Sequence, residues 1–231
     1  MMKRSYPQIN CRKVNCSLVM ALAVAVTGCG VTSTMEPYKQ SDMVIAEGER
    51  VVILSRKHHA THEAEAHITD CIGDSLAAGQ DGLEVHPTTA FEDMLYPWFE
   101  PSTAPLTTEE LPEVLAQPGV SNRIADSGVR YVVWLDGATD RVASGGGISC
   151  AAGVGGAGCL GLAWWQTDAK YEATIWDLQE ASSAGTINAD VTGKSVMPAI
   201  IIPLPFIART KTHACKGLAD QLKVFLTTAE G

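Results

Sequence analysis

Apolar positions along the chain fall in short blocks separated by polar turns, and the blocks switch between two periods. RVVILS (50–55) is a continuous β-branched run, the pattern of a strand buried on both faces. In HATHEAEAHITDCIGDSLAAG the residues Ile68, Cys71, Ile72 and Leu76 recur at helical spacing, and Gly79 supplies a helix stop. LEVH (83–86) predicts a second short strand, and FEDMLYPWFEP (91–101) a short helix with a loop. TTEELPEVLAQ predicts a helix opened by a Thr cap with acids in its first turn, and SNRIADSG another short one. VRYVVWLDG (129–137) predicts a central strand. YEATIWDL (171–178) alternates and, with QEASSAGTINADVTG, predicts a β-hairpin. The final helix, TKTHACKGLADQLKVFLTTA, carries Cys215, Leu218, Leu222 and Phe225 as its apolar stripe.

This order predicts an α/β (α+β) chain: a single two-layer domain with a small mixed sheet, a β-hairpin and flanking helices. Two segments fit no period. Residues 30–43 are polar and aperiodic and read as a tether. SVMPAIIIPLPFIA (195–208) is apolar, but Pro198, Pro203 and Pro205 rule out a regular helix and it is too short to span a membrane as one. A place in the core is expected for it, ahead of a lipid-touching loop or a subunit interface.

The first 28 residues contain no acid and place Lys3, Arg4, Arg12 and Lys13 before the apolar run SLVMALAVAVTG. A basic start and a short apolar run make an export signal. It ends in VTGC, which resembles the bacterial lipobox, with Cys29 as the acylated residue. Acyl chains at Cys29 would hold the protein on a membrane at about 0.8 kcal/mol per buried methylene. Gly30 stands where an inner-membrane retention signal has Asp, so in a Gram-negative host the resemblance implies the periplasmic side of the outer membrane. The expected division is signal peptide 1–28, acylated Cys and tether 29–43, and one globular domain 44–231.

Export changes the charge and the cysteine chemistry. Losing residues 1–28 leaves 13 of the 17 Lys and Arg against 26 Asp and Glu, a formal −13. Such a surface excludes nucleic acid and does not attract anionic headgroups. Of seven cysteines, Cys71, Cys150, Cys159 and Cys215 remain free of the signal and the anchor. Four thiols in an exported domain suggest two disulfides, with three possible pairings. Cys150 and Cys159 bracket a glycine-rich stretch and can close it locally, which leaves Cys71 for Cys215.

Three motifs invite chemistry. GVGGAG (153–158) has the glycine spacing of a dinucleotide-binding turn, with Asp177 about where a ribose-binding acid falls. Its preceding GGGISCAA is a poor buried strand, and the chain beyond Asp177 is too short for a doubly wound sheet, so no cofactor is expected and the glycines read as a flexible loop. Gly73-Asp74-Ser75-Leu76 resembles the SGNH esterase signature. That resemblance implies Ser75 as nucleophile and His213 as base, yet position 210 is Thr where the orienting Asp belongs. His58, His62 and Glu65 are spaced to share a helix face and hold a metal, or to form a solvated face.

RVVILS, the helix after it, VRYVVWLDG, YEATIWDL with GTINADVTGKS, and the closing Cys-containing helix together resemble a superfamily of bacterial envelope proteins over roughly residues 48–228. It contains the curli secretion-channel lipoprotein, lipoprotein activators of penicillin-binding proteins and the N-terminal domain of TolB. The resemblance implies a small mixed sheet flanked by helices and a non-catalytic role in envelope assembly, with only Cys29 carried over as a functional residue. The expectation is therefore an acylated, disulfide-bonded binding or assembly module. Its partner would be another envelope protein, or copies of itself through apolar patches near Trp164, Trp165 and 199–207. An exported esterase using Ser75 and a metal-binding accessory protein using His58 and His62 are the alternatives.

Overall fold

The computed structural model describes residues 30–40, 43–55, 66–100 and 103–229. Its strands are β1 (Val31–Lys39), β2 (Arg50–Ser55), β3 (Val85–His86), β4 (Val129–Gly153), β5 (Gly156–Asp177) and β6 (Ser182–Pro203). Its helices are α1 (Ala66–Ala77), α2 (Thr88–Leu95), α3 (Leu111–Leu115), α4 (Val120–Ser127) and α5 (Thr210–Thr227). The strands form one sheet in the order β1-β6-β5-β4-β2-β3. Pairing is antiparallel from β1 through β4 and parallel between β4, β2 and β3. A mixed sheet flanked by helices is the class expected from the sequence.

RVVILS behaves as its composition requires. Val51 and Ile53 point to one face and Val52 and Leu54 to the other, and all four are buried. On the first face α1 and α5 cover Tyr131, Val133, Leu135, Ala173 and Ile175 with Ile72, Leu76, Leu218 and Leu222. On the second face Phe91, Leu95, Phe99, Leu111 and Ile124 cover Val132, Trp134 and Trp176. The rings of Phe91, Phe99, Trp134 and Trp176 meet in sequence at centroid distances of 5.3, 6.4 and 5.7 Å. Helices thus lie on both faces around β2 and the start of β4, so the expected two layers are three there. Single helices were assignable from periodicity, but the face each would cover was not.

The polar stretch expected to be a tether is instead β1, paired residue for residue with β6 from Val31↔Gly193 to Lys39↔Gly185. Met35 packs on the first core, so the folded domain begins near residue 31 rather than 44. An edge strand needs to bury only occasional side chains, so its composition resembles a linker. The helix in TTEELPEVLAQ begins at Leu111, with Pro112 in its first turn and no side-chain cap. Pro at that position fits because the first-turn N–H has no helical partner.

The two disulfides pair Cys71 with Cys215 and Cys150 with Cys159. The first ties α1 to α5 across a separation of 144 residues. The second joins residues directly opposite each other on β4 and β5.

Candidate functional site

Asp177 is a structural residue. It is fully buried, and its Oδ2 accepts a 2.9 Å hydrogen bond from Arg130 Nε. Its Oδ1 accepts the backbone N–H groups of Gln179 and Glu180 at 2.8 and 3.1 Å, closing the turn between β5 and β6. Arg130 also donates to both oxygens of Glu49 at 2.9 and 3.1 Å. Burial works to lower the Arg130 pKa, but the Glu49 and Asp177 hydrogen bonds outweigh it and hold the guanidinium above its ordinary value. The Tyr131 phenol beside them is pushed up to about 12, first by burial and with Arg130 opposing.

Ser75 sits on α1 with its Oγ 3.8 Å from the Cys215 sulfur, which is already bonded to Cys71. Its hydroxyl therefore faces a disulfide sulfur. His213 lies on α5 and is exposed. No hydrogen bond joins the two, so among the described residues no imidazole is placed to activate Ser75 as a nucleophile. His58, His62, Glu65 and Cys29 lie outside the described residues. Among the described residues, no group of three His, Cys, Asp or Glu is placed to hold a metal ion. No described helix is long and apolar enough to cross a membrane.

The feature that sets this molecule apart is where β4, β5 and β6 go after the body ends. Among the described residues, β2 pairs with β4 as far as Leu135 and β1 pairs with β6 as far as Gly193. The three long strands continue beyond those described neighbours as an arm. Within it, β4 and β5 stay paired to Gly153↔Gly156, leaving Val154 and Gly155 as the tip. The glycine-rich stretch expected to be a loop is therefore the end of a regular hairpin. The reason is steric. Gly146 has φ +84°, and a Cβ there would come within 2.0 Å of the Leu162 carbonyl oxygen. Gly161 has φ +149°, and its Cβ would come within 2.2 Å of the Gly147 carbonyl oxygen. Glycine is what lets the two backbones approach and twist at these points, the role it takes inside strands.

Residues 142–166 and 195–208, which make up the arm, contain no Asp, Glu, Lys, Arg or His. The two faces differ. Leu160, Leu162 and Trp164 share one face with Val196, Pro198 and Ile200 across β6 and with Gly145, Gly147 and Ser149 across β4. Leu160 is 73% exposed, Ile200 75% and Trp164 43%. The opposite face mixes small groups (Gly146, Cys150, Cys159, Gly161, Ala163 and Ala199) with Ile148, Trp165, Met197 and Ile201, the last 70% exposed. After Pro203 the chain doubles back along the edge of β6. Leu204 N–H donates to the Pro198 carbonyl at 3.0 Å, and Val196 and Phe206 exchange both backbone bonds at 2.9 and 2.8 Å. Ile201, Ile202, Leu204, Phe206 and Ile207 remain exposed, so the 195–208 run is not core as expected. Only a few of its members, such as Ser195 and Ala199, are buried.

Charge returns abruptly at the arm's root. Asp140, Arg141, Asp168 and Lys194 stand at the first positions past the apolar zone, beside Trp164 and Trp165. The Arg141 guanidinium lies 5.3 Å from the Trp165 ring centroid. A β-bulge at Val142 separates the two regimes on β4. Below it, Glu36, Asp136, Asp140, Asp168, Glu172 and Asp190 line an open, acidic concavity. The sequence signals for this arm were the long charge-free intervals and the alternation of Leu160, Leu162 and Trp164 with small residues. The glycines and prolines in the same intervals masked them as loop.

No protein-family model matches the chain, and no curated protein matches it. Among solved structures, it is similar to the PelC dodecamer from Paraburkholderia phytofirmans at 11% identity and a TM-score of 0.36, covering 85% of this chain and 99% of that one. A point variant of the same dodecamer matches at 13% identity and a TM-score of 0.34, covering 86% and 99%. Likeness at this level carries no activity or assembly over to this chain.

Proposed function

We propose that this protein is an acylated envelope lipoprotein that acts as a non-catalytic assembly module, and that its β-arm enters the hydrocarbon of the membrane. The observation that carries the reading is the arm's chemistry. Three strands leave an acidic body, lose every charged residue, and turn large apolar side chains outward on one face. Burying one such side chain fully is worth about 1.5–3 kcal/mol, so water is an unfavourable final surrounding for the arm. Each arm strand offers about ten residues past the charged root, the length a tilted strand needs to cross a bilayer. Alternating large and small residues, with tryptophans where charge resumes, match the outward band and aromatic girdle of membrane strands. The acidic body gives no attraction to anionic headgroups, so contact rests on the apolar arm and on acyl chains at Cys29. In a Gram-negative host, Gly30 after the acylated Cys29 supports the periplasmic face of the outer membrane as the body's location.

The test is to export the chain behind a conventional cleavable signal with Cys29 replaced by Ser, which removes the acyl chains. The expected result is a protein that still fractionates with membranes and resists alkaline extraction. Adding Leu160→Arg and Ile200→Arg should release it, since Arg in the centre of a lipid-facing strand costs about 2–4 kcal/mol. A Cys29→Ser protein recovered wholly in the soluble fraction, with the arm open to protease, would overturn the reading.

A further inference from the structure

We infer that the Cys150–Cys159 disulfide is a redox-set lock on the strand register of the arm, holding β4 one residue away from a second register that the same sequence admits. In the body, β4 and β5 pair in one continuous register from Tyr131↔Asp177 to Arg141↔Thr167. The bulge at Val142 then shifts the pairing by one residue, so that Ala143 meets Gln166 and Cys150 meets Cys159. Carried on without the bulge, the body's register would set Val142 opposite Gln166, Ser149 opposite Cys159 and Gly158 opposite Cys150. Side chains directly opposite each other share a face, whereas neighbours along a strand point to opposite faces. Cys150 and Cys159 therefore bond in the bulged register, where their Cα atoms lie 4.0 Å apart, and would stand on opposite faces in the straight one.

The side chains of this part of β4 select the register weakly. From 143 to 153 it reads ASGGGISCAAG, with Ile148 its one large side chain, and a glycine-rich strand specifies its pairing poorly. Gly146, whose Cβ would come within 2.0 Å of the Leu162 carbonyl oxygen, stands opposite Ala163. In the straight register Gly145 would take that place, so the close approach stays open. The tip also accepts both. The bulged register closes on Val154 and Gly155, and the straight one would close on Gly153, Val154 and Gly155, a length and composition that hairpins use. The two registers present different surfaces. As bonded, Gly145, Gly147 and Ser149 stand opposite Trp164, Leu162 and Leu160. In the straight register Ile148 would stand opposite Leu160 on that face, and Gly147 would turn to the other. The lock is open to thiol chemistry, since Cys150 is exposed whereas Cys215 of the body disulfide is 1% exposed. Closing it passes two electrons and two protons from the Cys150 and Cys159 thiols to the disulfide of a thiol oxidant, which leaves as a dithiol. A dithiol reductant runs the exchange in reverse. None of this depends on whether the arm enters a membrane.

The experiment uses the exported full-length chain, with disulfides mapped by mass spectrometry of unreduced peptides. In a Ser149→Cys, Cys150→Ser protein the introduced thiol and Cys159 face each other only in the straight register. The expected result is a bond between position 149 and Cys159 in most of the protein, with Cys71–Cys215 intact as the mark of a folded body. Deleting Val142 from that variant removes the residue that the slip consumes, and should return both positions to free thiols. Free thiols at position 149 and Cys159 with Val142 present would overturn the second register. A bond that survives the deletion would overturn the bulge as its source. In the native sequence, Cys150–Cys159 should open at a dithiol concentration roughly tenfold or more below that needed for Cys71–Cys215, read by alkylation of the released thiols. Coincident opening of the two bonds would overturn the redox setting of the lock.

Discussion

The same three strands live in two surroundings. In the body, β4, β5 and β6 bury Tyr131, Val133, Ile175 and Ile187 under α1 and α5, and β4 and β5 bury Trp134 and Trp176 on the opposite face under α2 and its neighbours. In the arm they carry Leu160, Leu162, Ile200 and Ile202, all left exposed by the described residues. The body also keeps its charges organised, with Arg130 held between Glu49 and Asp177, while the arm has no charge to organise. The contrast teaches that a strand's hydrophobicity states how much surface must leave water, and the tertiary structure states what removes it. In the body that agent is a helix. In the arm no described helix covers the apolar face, and the membrane proposed above would take that role.

The comparison can be sharpened first through the two disulfides. Replacing Cys71 and Cys215 together by Ser releases a link across 144 residues and should cost about 4–5 kcal/mol, by the chain-entropy account in which long loops gain most. Replacing Cys150 and Cys159 frees a link across only 9 residues and should cost about 2–3 kcal/mol at most. Urea denaturation of the exported domain checks both. Equal losses would show that the arm hairpin contributes to global stability as much as the body does.

Side-chain truncation should separate the regions again. Phe91 is fully buried between His86 and Phe99, and Phe91→Ala should destabilise by about 3–5 kcal/mol. Ile200→Ala in the arm should change stability in water by less than about 0.5 kcal/mol, as for an exposed position, while weakening membrane retention. A large loss from Ile200→Ala in the water-soluble protein would mean that the arm is covered by its own chain.

The smallest effect is a pH dependence confined to the body. The Tyr131 pKa is raised to about 12 by burial, against about 10 for an exposed phenol. A raised folded value means that the stability associated with the neutral phenol is complete below about pH 10 and is lost as pH climbs toward 12. Urea midpoints between pH 8 and 11.5 should fall more steeply in the native protein than in Tyr131→Phe. Coincident profiles would remove Tyr131 from the alkaline response.

Much of the body was legible because local patterns have one favourable outcome. RVVILS can satisfy its apolar side chains only as a strand covered on both faces, and the stripe through Cys215, Leu218, Leu222 and Phe225 only as a packed helix. The Cys71–Cys215 and Cys150–Cys159 pairing followed from an even count and one local bracket. What failed were the segments whose local signals conflict. Residues 31–39 look like a linker because an edge strand buries little. GGGISCAA and GVGGAG look like loop because glycine weakens a strand in isolation, yet the close approach of Gly146 and Gly161 to the neighbouring backbone makes them necessary in a twisted hairpin. The prolines of 195–208 excluded a helix correctly and left strand, core and exposed return equally open.

Local pattern was enough for the class of fold, the elements around the buried strands, the absence of charge in 142–166 and 195–208, and the residue types present for chemistry. Folding was needed to bring those two intervals side by side as one arm, to set Asp177 as the cap of a turn, and to turn Ser75 toward a disulfide. The difference is one of range. Periodicity and charge are properties of neighbours along the chain, whereas strand pairing and the covering of a face depend on residues such as Cys159 and Ile201, or Ser75 and Cys215, that only folding brings together.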